Sequence, residues 1–249
     1  MQYKVFETGV PLLDEMLGGG IIQDGVVLIV YNTGSYGWAL GVEIFRSFVE
    51  KGWFGLVTNY SFPYGLLSKY AYALHFDMSG LGKNGSLAVL DVFGSVNGVE
   101  SKEPFVHSIG RIDGNTFLPK IVSLYLKVIG DRKRRIGISI TLDGFVSIFG
   151  EETGMKILQK NMALKDSTPR NPDESVLNIF LLNQERVSPR FIAWLSQYSE
   201  HIIEFQPTGR PGVEKLVVKK SLLPDFEPSV GLFKFSRGRI KLSRITAIE

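Results

Sequence analysis

The residues best suited to chemistry stand in a short, glycine-containing connection at positions 31–38. A continuous run of β-branched and apolar residues at 26–31 predicts a buried strand before it, and apolar residues at helical spacing predict a helix at 38–50. The N–H groups of a helix's first turn have no partner within the helix, so a glycine-containing turn there favours binding of phosphate or another anion. The candidate anion-binding residues are Gly34, Ser35, Tyr36, Gly37 and Trp38.

The composition excludes several other kinds of site. The sequence has no cysteine, which rules out a disulfide framework and a thiolate zinc site. Its histidines, His75, His107 and His201, are not at metal-ligand spacing, so no metal centre is expected. The apolar runs are shorter than the roughly 20 residues that cross a bilayer, and residues 1–8 lack the features of a signal peptide. We therefore expect a cytoplasmic protein with no membrane contact.

Strand-like and helix-like segments alternate along the chain, which predicts an α/β fold with a mostly parallel central sheet and helices on both faces. Strands are predicted at residues 26–31, 53–58, 87–90, 136–142 and 176–182, and helices at 38–50, 63–74, 117–129, 146–162 and 188–198. Shorter runs at 201–205, 215–219 and 231–235 predict antiparallel strands at one edge of the sheet. Residues 94–115 and 165–173 are predicted as surface loops. No segment has the composition of a linker, so residues 1–249 are expected to form one domain.

A longer signature precedes the first predicted strand. Residues 8–21 read TGVPLLDEMLGGGI, a short amphipathic helix that begins at Pro11 and ends at three glycines. This string resembles the opening signature of the KaiC/RadA branch of the RecA superfamily, and looser matches extend from Thr8 to about Leu242. The resemblance implies a RecA-like three-layer α/β/α P-loop NTPase fold with antiparallel strands at the C-terminal end, and an archaeal or bacterial source.

In that family the first strand leads into a Walker A loop, Gly-x-x-x-x-Gly-Lys-[Ser/Thr]. Its amides and lysine hold the phosphates, and its hydroxyl holds Mg²⁺. In this chain the two glycine positions are occupied by Tyr31 and Tyr36, the lysine position by Gly37 and the hydroxyl position by Trp38. No change of register brings a lysine into the loop, and a tryptophan does not coordinate Mg²⁺.

Other catalytic positions of the family are replaced as well. Asn59 and Tyr60 stand where the family has a pair of glutamates, and neither is a useful base near neutral pH because an amide does not titrate and a phenol titrates near 10. Leu222 stands where the family has an arginine that reaches a neighbouring subunit's nucleotide. Phosphoryl transfer depends on these charges, so their joint loss indicates that no catalytic residue remains.

Three residues match positions that the family uses. Asp143 corresponds to the Walker B aspartate, which would steady the Mg²⁺ shell, and Gln184 stands at the position of the γ-phosphate sensor. Lys220 matches the lysine of the segment that crosses the subunit interface. A polar residue after a buried strand is also common in α/β proteins without any such role.

The replacements favour a catalytically degenerate relative that acts as a non-hydrolysing regulatory or interaction module, for which no cofactor and no metal are expected. Such a module would dock on a KaiC/RadA-like paralogue or on itself in a ring-type homo-oligomer.

The first alternative retains a ligand. Gly34, Ser35 and Gly37 would form an anion-binding turn near Asp143, with aromatic residues of the loop stacked on a base, so that ATP and Mg²⁺ bind without turnover. The competing interpretation is that the loop's aromatic residues fill the vacated phosphate pocket as core.

The second alternative is an accessory nucleic-acid-binding protein of recombination or repair. The formal net charge is +3, and a basic run at residues 132–135 would supply contacts to phosphate, together with Arg237, Arg239, Lys241 and Arg244. A solvated turn before a strand is the simpler explanation of that run.

Overall fold

A computed structural model describes residues 3–167, 171 and 173–245 of the chain. Its strands are β1 (Val5–Phe6), β2 (Ile21–Ile22), β3 (Val26–Tyr31), β4 (Phe54–Asn59), β5 (Leu87–Asp91), β6 (Val106–Ser108), β7 (Arg134–Ile140), β8 (Ser175–Asn183), β9 (His201–Pro207), β10 (Val213–Lys220), β11 (Ser229–Ser236) and β12 (Arg239–Arg244). Its helices are α1 (Pro11–Leu17), α2 (Gly37–Glu50), α3 (Tyr64–Ala73), α4 (Met78–Lys83), α5 (Val92–Asn97), α6 (Phe117–Ile129), α7 (Leu142–Phe149), α8 (Glu151–Ser167) and α9 (Pro189–Gln197).

The main sheet has the spatial order β12-β11-β10-β9-β3-β8-β7-β4-β5-β6. Strands from β9 through β3 to β6 are parallel, whereas β10, β11 and β12 add to β9 as antiparallel neighbours. The predicted mostly parallel sheet with an antiparallel C-terminal edge is therefore confirmed. The short strands β1 and β2 pair with each other outside this sheet.

Both faces of the sheet are buried. Along β3, Val27 and Ile29 belong to the apolar cluster that includes Leu40 of α2, while Leu28 and Val30 belong to the cluster beneath α7 and α9. A third cluster lies between β4, β5 and α6. This alternation explains why the sequence of β3 is apolar throughout.

The opening signature shapes the chain ahead of β3. The Asp14 carboxylate accepts a hydrogen bond from the Thr8 amide at 2.7 Å, and Gly18 ends α1 in the left-handed conformation with φ of 83°. Burial raises the pKa of Asp14, and the hydrogen bonds from Thr8 oppose that shift. These motif residues thus have a structural role.

The structure differs from the predicted elements in four of the predicted segments. The strand predicted at 136–142 ends at Ile140, and Asp143 lies in the first turn of α7. The helix predicted at 146–162 is two helices that separate at Gly150, whose φ of 74° ends α7. The predicted loop at 94–115 contains the end of α5 and the strand β6. In the predicted loop at 165–173, the first residues continue α8, and residues 168–170 and 172 lie outside the described residues.

Candidate functional site

Residues 32–36, here the β3–α2 loop, connect the carboxyl end of β3 to the first turn of α2. The Ser35 amide donates to the Asn32 carbonyl at 3.0 Å, which closes a tight turn. Gly34 has φ of 82°, and a Cβ atom there would meet nothing within 4 Å. The turn therefore needs glycine for its backbone conformation, since the space around it is open.

A buried carboxylate, that of Glu214 on β10, binds this loop. Its Oε1 accepts a hydrogen bond from the Tyr36 amide at 2.8 Å, and its Oε2 accepts one from the Ser35 hydroxyl at 2.5 Å. The Ser35 oxygen also accepts the Gly37 amide at 2.9 Å. These donors at the start of α2 are therefore used by side chains of the same protein.

A second carboxylate, that of Glu185, binds the first half of the loop. It accepts hydrogen bonds from the Thr33 amide at 3.0 Å and from the Asn32 side chain at 3.1 Å. Hydrogen bonds from Thr33 and Asn32 lower the pKa of Glu185. The candidate sensor Gln184 donates to the Asn32 side chain at 2.6 Å, so it also contacts the loop itself.

Asp143 is completely buried beside the loop. Its Oδ2 lies 2.6 Å from Nη1 of Arg186, an ion pair that lacks hydrogen-bond geometry, and its Oδ1 accepts the Asn183 amide at 3.1 Å. The positive charge next to this carboxylate is therefore already supplied by Arg186.

The first turn of α2 packs closely against the sheet at the lysine position of the Walker A pattern. A Cβ atom on Gly37 would lie 2.6 Å from the ring of Phe205 and 3.0 Å from Cβ of Tyr31. Both distances are shorter than ordinary contacts, so even alanine would require a shift of the helix or of the β9 ring.

The two residues at the family's glutamate positions have structural roles. The Asn59 side chain donates to the Phe62 carbonyl at 2.6 Å and to Asp91 at 2.9 Å, which fixes the connection from β4 to α3. Tyr60 packs on Phe145 at a ring-centroid distance of 5.3 Å, and burial raises its pKa. Neither side chain lines the cavity beside the loop.

That cavity has a volume of about 360 Å³ and lies between the β3–α2 loop, α2, α3 and the sheet. Most of its wall is apolar and includes Val42, Phe45, Val57, Leu67, Ala71, Ile138 and Leu181. Polar lining comes chiefly from the loop and from Tyr31, Thr141, Asp143, Asn183 and Arg186. The predicted site residues Gly34, Ser35, Tyr36, Trp38 and Asp143 are brought together here, whereas Gly37, Gln184 and Lys220 do not line the cavity.

Five aromatic side chains, named here the aromatic rim, contact one another beside the cavity: Tyr36, Trp38, Phe62, Tyr70 and Phe235. Tyr36 stacks on Phe235 with ring centroids 4.4 Å apart, and Trp38 meets Tyr70 edge-on at 5.2 Å. Tyr36 and Tyr70 remain 38% and 39% exposed. Tyr31 is buried in the apolar core and Trp38 packs against that core partly buried, whereas Tyr36 is exposed and the cavity remains open, so the interpretation that the loop's aromatic residues fill the pocket as core stays a prediction.

Lys220 makes a contact within the chain. Its amine donates to the Ser196 carbonyl at 3.1 Å, in the last turn of α9, while Leu222 is 55% exposed. A role of Lys220 at a subunit interface stays a prediction.

The basic run at 132–135 is largely engaged in intramolecular contacts. Arg132 lies over the ring of Phe54 at 4.2 Å, and Arg135 pairs with Glu174 at 3.0 Å. Together with Lys4 and Lys133, Arg132 lines an open cleft of about 610 Å³. Nucleic-acid binding by the basic run stays a prediction.

Sequence reasoning missed Glu185, Arg186, Glu214, Tyr70 and Phe235. Glu185 and Arg186 directly follow the candidate sensor, so their position was a usable signal. The other three come from distant segments, and only the packing of β10, β11 and α3 against the loop brings them there.

Two kinds of feature are absent from the described residues. No helix there is long and apolar enough to cross a membrane. No group of three or more histidine, aspartate or glutamate side chains there is arranged to hold a metal ion.

The sequence matches no protein-family model and no curated protein. The fold resembles that of an uncharacterised protein from Pyrococcus horikoshii, solved in complex with an unknown peptide, with a TM-score of 0.79 and 18% identity over 97% of this chain and 100% of that one. It also resembles a KaiC-like protein from the same hyperthermophilic archaeon, with a TM-score of 0.71 and 15% identity over 97% of this chain and 99% of that one. The chain therefore has the KaiC-like RecA-type α/β fold that its sequence motifs predict.

Proposed function

We propose that this protein is a catalytically degenerate, non-hydrolysing RecA-fold interaction module. The observation that carries the proposal is the pair of contacts from the Tyr36 amide and the Ser35 hydroxyl to Glu214. In a phosphate-binding loop the corresponding donors bind the anion.

A nucleotide phosphate entering this loop would have to displace the Glu214 carboxylate. A buried carboxylate deprived of its donors costs about 1–3 kcal/mol or more, and the incoming anion would also meet the negative charge of Glu185 nearby. No lysine is present in the loop to offset that repulsion. These opposing terms disfavour binding of ATP in the usual pose.

Binding of Mg²⁺ beside Asp143 is equally unfavourable. Mg²⁺ takes near-octahedral oxygen ligands at about 2.0–2.1 Å. The Asp143 carboxylate is instead paired with Arg186 at 2.6 Å, and Trp38 replaces the usual hydroxyl ligand. Binding of the metal would require the loss of that ion pair. We therefore propose no nucleotide cofactor and no metal.

We propose that the module acts by binding a segment of another polypeptide at the aromatic rim. Partly exposed Tyr and Trp side chains are typical of the residues that carry binding energy at protein interfaces. The presence of an unknown peptide in the Pyrococcus horikoshii protein of similar fold supports a polypeptide partner. A KaiC/RadA-like paralogue and a second copy of this chain are the first partners to test.

The peptide proposal is tested by selecting binders from a displayed library of random peptides and measuring their affinity by fluorescence anisotropy. Tyr70→Ala removes a rim ring that contacts Trp38 and Phe62, and we expect it to weaken binding about tenfold or more. Tyr72→Ala is the matched control, because Tyr72 lies on the same helix and is 83% exposed. Equal affinities for the two variants would contradict binding at the rim.

The absence of catalysis is tested by measuring phosphate release from Mg-ATP by the wild type and by Asp143→Ala. We expect both to stay at the background rate. Turnover by the wild type that Asp143→Ala abolishes would overturn the proposal.

A further inference from the structure

We propose that the cavity beside the β3–α2 loop binds a small, uncharged, mostly apolar molecule that carries one hydrogen-bond acceptor for the Tyr31 hydroxyl. Four residues of the aromatic rim, Tyr36, Trp38, Phe62 and Tyr70, also line this cavity, so the site adjoins the rim, and its ligand is a small molecule and not a polypeptide. Nucleotides and inorganic anions do not fit its chemistry.

The first argument is the size and lining of the cavity. Protein interiors are close-packed, and voids larger than a water molecule are few. A space of about 360 Å³ between α2, α3 and the sheet falls within the range of small-molecule pockets. Its walls include Val42, Phe45, Val57 and Leu181, side chains that bind hydrocarbon surface and offer no hydrogen bonds.

The second argument is the Tyr31 hydroxyl. Tyr31 is only 6% exposed and lines the cavity, yet no hydrogen bond to its hydroxyl is found among the described residues. The hydroxyl oxygen is not among the buried side-chain atoms of the described residues that lack a partner, so it is open to the cavity, where a ligand can reach it. A ligand with an ether, ketone or similar oxygen would accept this hydrogen bond.

The third argument concerns charge. The charged groups in the wall, Asp143 and Arg186, neutralise each other at 2.6 Å, which leaves no net charge for an ionic ligand to pair with. The carboxylates of Glu185 and Glu214, which accept hydrogen bonds from the adjoining loop, oppose an anion. Transfer of any ion from water to an apolar cavity is strongly unfavourable, so the ligand is uncharged.

The Tyr31 hydroxyl is suited to donating. Burial raises the pKa of Tyr31 well above its ordinary value of 10.0, with a smaller contribution from the Asp143 charge. The phenol therefore keeps its proton at neutral pH.

Prodan, an uncharged naphthalene ketone whose emission reports both polarity and hydrogen bonding, is a suitable probe. We expect saturable binding of one Prodan per chain with a blue-shifted emission. Trp38 lines the cavity, so we also expect quenching of its fluorescence by energy transfer to the probe. Wild-type protein that shows no saturable binding would overturn the proposal.

A matched pair of variants locates the site. Ala71 on α3 lines the cavity, whereas Ala73 on the same helix is exposed. Ala71→Leu fills part of the space and is expected to weaken Prodan binding about tenfold or more, equivalent to about 1.4 kcal/mol, whereas Ala73→Leu leaves it unchanged. Circular dichroism verifies that both variants are folded. Equal binding by two folded variants would contradict the site.

Two milder substitutions keep the test decisive should Ala71→Leu fail to fold. Tyr31→Phe removes only the hydroxyl, so we expect weaker Prodan binding and the emission of a ketone without a hydrogen bond. The quenching of tryptophan fluorescence should be weaker in Trp38→Phe than in Trp194→Phe, since Trp38 lines the cavity whereas Trp194 packs on the opposite face of the sheet. An unchanged emission in Tyr31→Phe, or equal quenching in Trp38→Phe and Trp194→Phe, would overturn the assignment.

Discussion

The Glu214 carboxylate accepts the Tyr36 amide at 2.8 Å across 178 positions of sequence. Its other oxygen accepts the Ser35 hydroxyl, and that hydroxyl oxygen accepts the Gly37 amide. An internal carboxylate thus occupies the donors that a phosphate would use at the start of α2. This relationship explains how a loop with the position of a phosphate-binding loop is stable without a phosphate.

Replacement of Glu214 by alanine should expose these donors. We expect Glu214→Ala to lower the free energy of unfolding by about 1–3 kcal/mol, because the Tyr36 amide and the Ser35 hydroxyl lose their acceptor. We further expect inorganic phosphate to stabilise this variant more than the wild type. Urea unfolding with and without phosphate measures both effects.

The control for that experiment is Glu227→Ala, since Glu227 is exposed between β10 and β11. It should leave stability and the response to phosphate as in the wild type. If Glu214→Ala behaves in the same way, the carboxylate does not hold the loop.

A second prediction follows from the close packing at Gly37. Gly37→Ala should reduce stability by about 1–3 kcal/mol, because the added Cβ lies 2.6 Å from the Phe205 ring. Gly65→Ala, in the first turn of α3, has open space around the new Cβ and should be neutral or stabilising by up to about 1 kcal/mol. Thermal and urea unfolding compare the two. A stability of Gly37→Ala equal to that of the wild type would show that the lysine position is not closed by packing.

The ion pair between Asp143 and Arg186 makes a third prediction. Arg186→Met leaves the fully buried Asp143 carboxylate without a counter-charge and should cost about 2–3 kcal/mol. Adding Asp143→Asn should recover part of this loss, because the uncharged amide needs no counter-charge. A double-mutant cycle measures the coupling, and additive effects of the two substitutions would contradict an ion pair.

A fourth prediction concerns His201, a completely buried residue of β9. Its Nε2 accepts the Ile22 amide at 3.0 Å, and its Nδ1 lies 3.0 Å from the Ser221 oxygen. Because the Ser221 hydroxyl donates to the Leu17 carbonyl, we assign the ring proton to Nδ1 and the ring as neutral. Burial, with a smaller contribution from the Lys220 charge, lowers the pKa of His201 from its ordinary 6.5 to about 4.

A depressed pKa of a base means that the unfolded chain binds this proton more readily than the folded one. The neutral His201 ring therefore makes its full contribution to the free energy of unfolding above pH 6.5. This contribution is lost as the pH falls from 6.5 to about 4, and the loss reaches about 3 kcal/mol. Urea unfolding across this range should show a shallower decline in His201→Asn than in the wild type. The control His75→Asn replaces an exposed histidine with φ of 55°, which asparagine tolerates, and should decline like the wild type. Identical pH profiles for His201→Asn and the wild type would contradict the assignment.

Local patterns in the sequence predicted the elements around the site well. The β-branched run at Val26–Tyr31 is a strand, and the helix after the loop begins at Gly37, one residue from its predicted start. Such predictions succeed because an element buried on one face has apolar residues at a fixed period, and a strand buried on both faces has a continuous apolar run. The string from Thr8 to Ile21 further predicted the RecA-like fold, and in the structure its aspartate and glycines fix the approach of the chain to β3.

The contacts that define the chemistry of the site were beyond those patterns. Glu214 reaches Tyr36 only because β10 pairs with β9, which in turn pairs with β3. Asp143 was expected at a strand end, but the extended Thr141 precedes a new helix and places it in the first turn. Periodicity records which face of an element is buried, and it contains no information on which distant side chain lies opposite.

Isothermal titration calorimetry with Mg-ATP tests the central claim most directly, namely that the donors and the carboxylate of the loop region are already used within the chain. We predict no saturable heat of binding when ATP is titrated into the wild type, either with or without magnesium. A saturable, magnesium-dependent heat that Asp143→Ala abolishes would contradict the proposal.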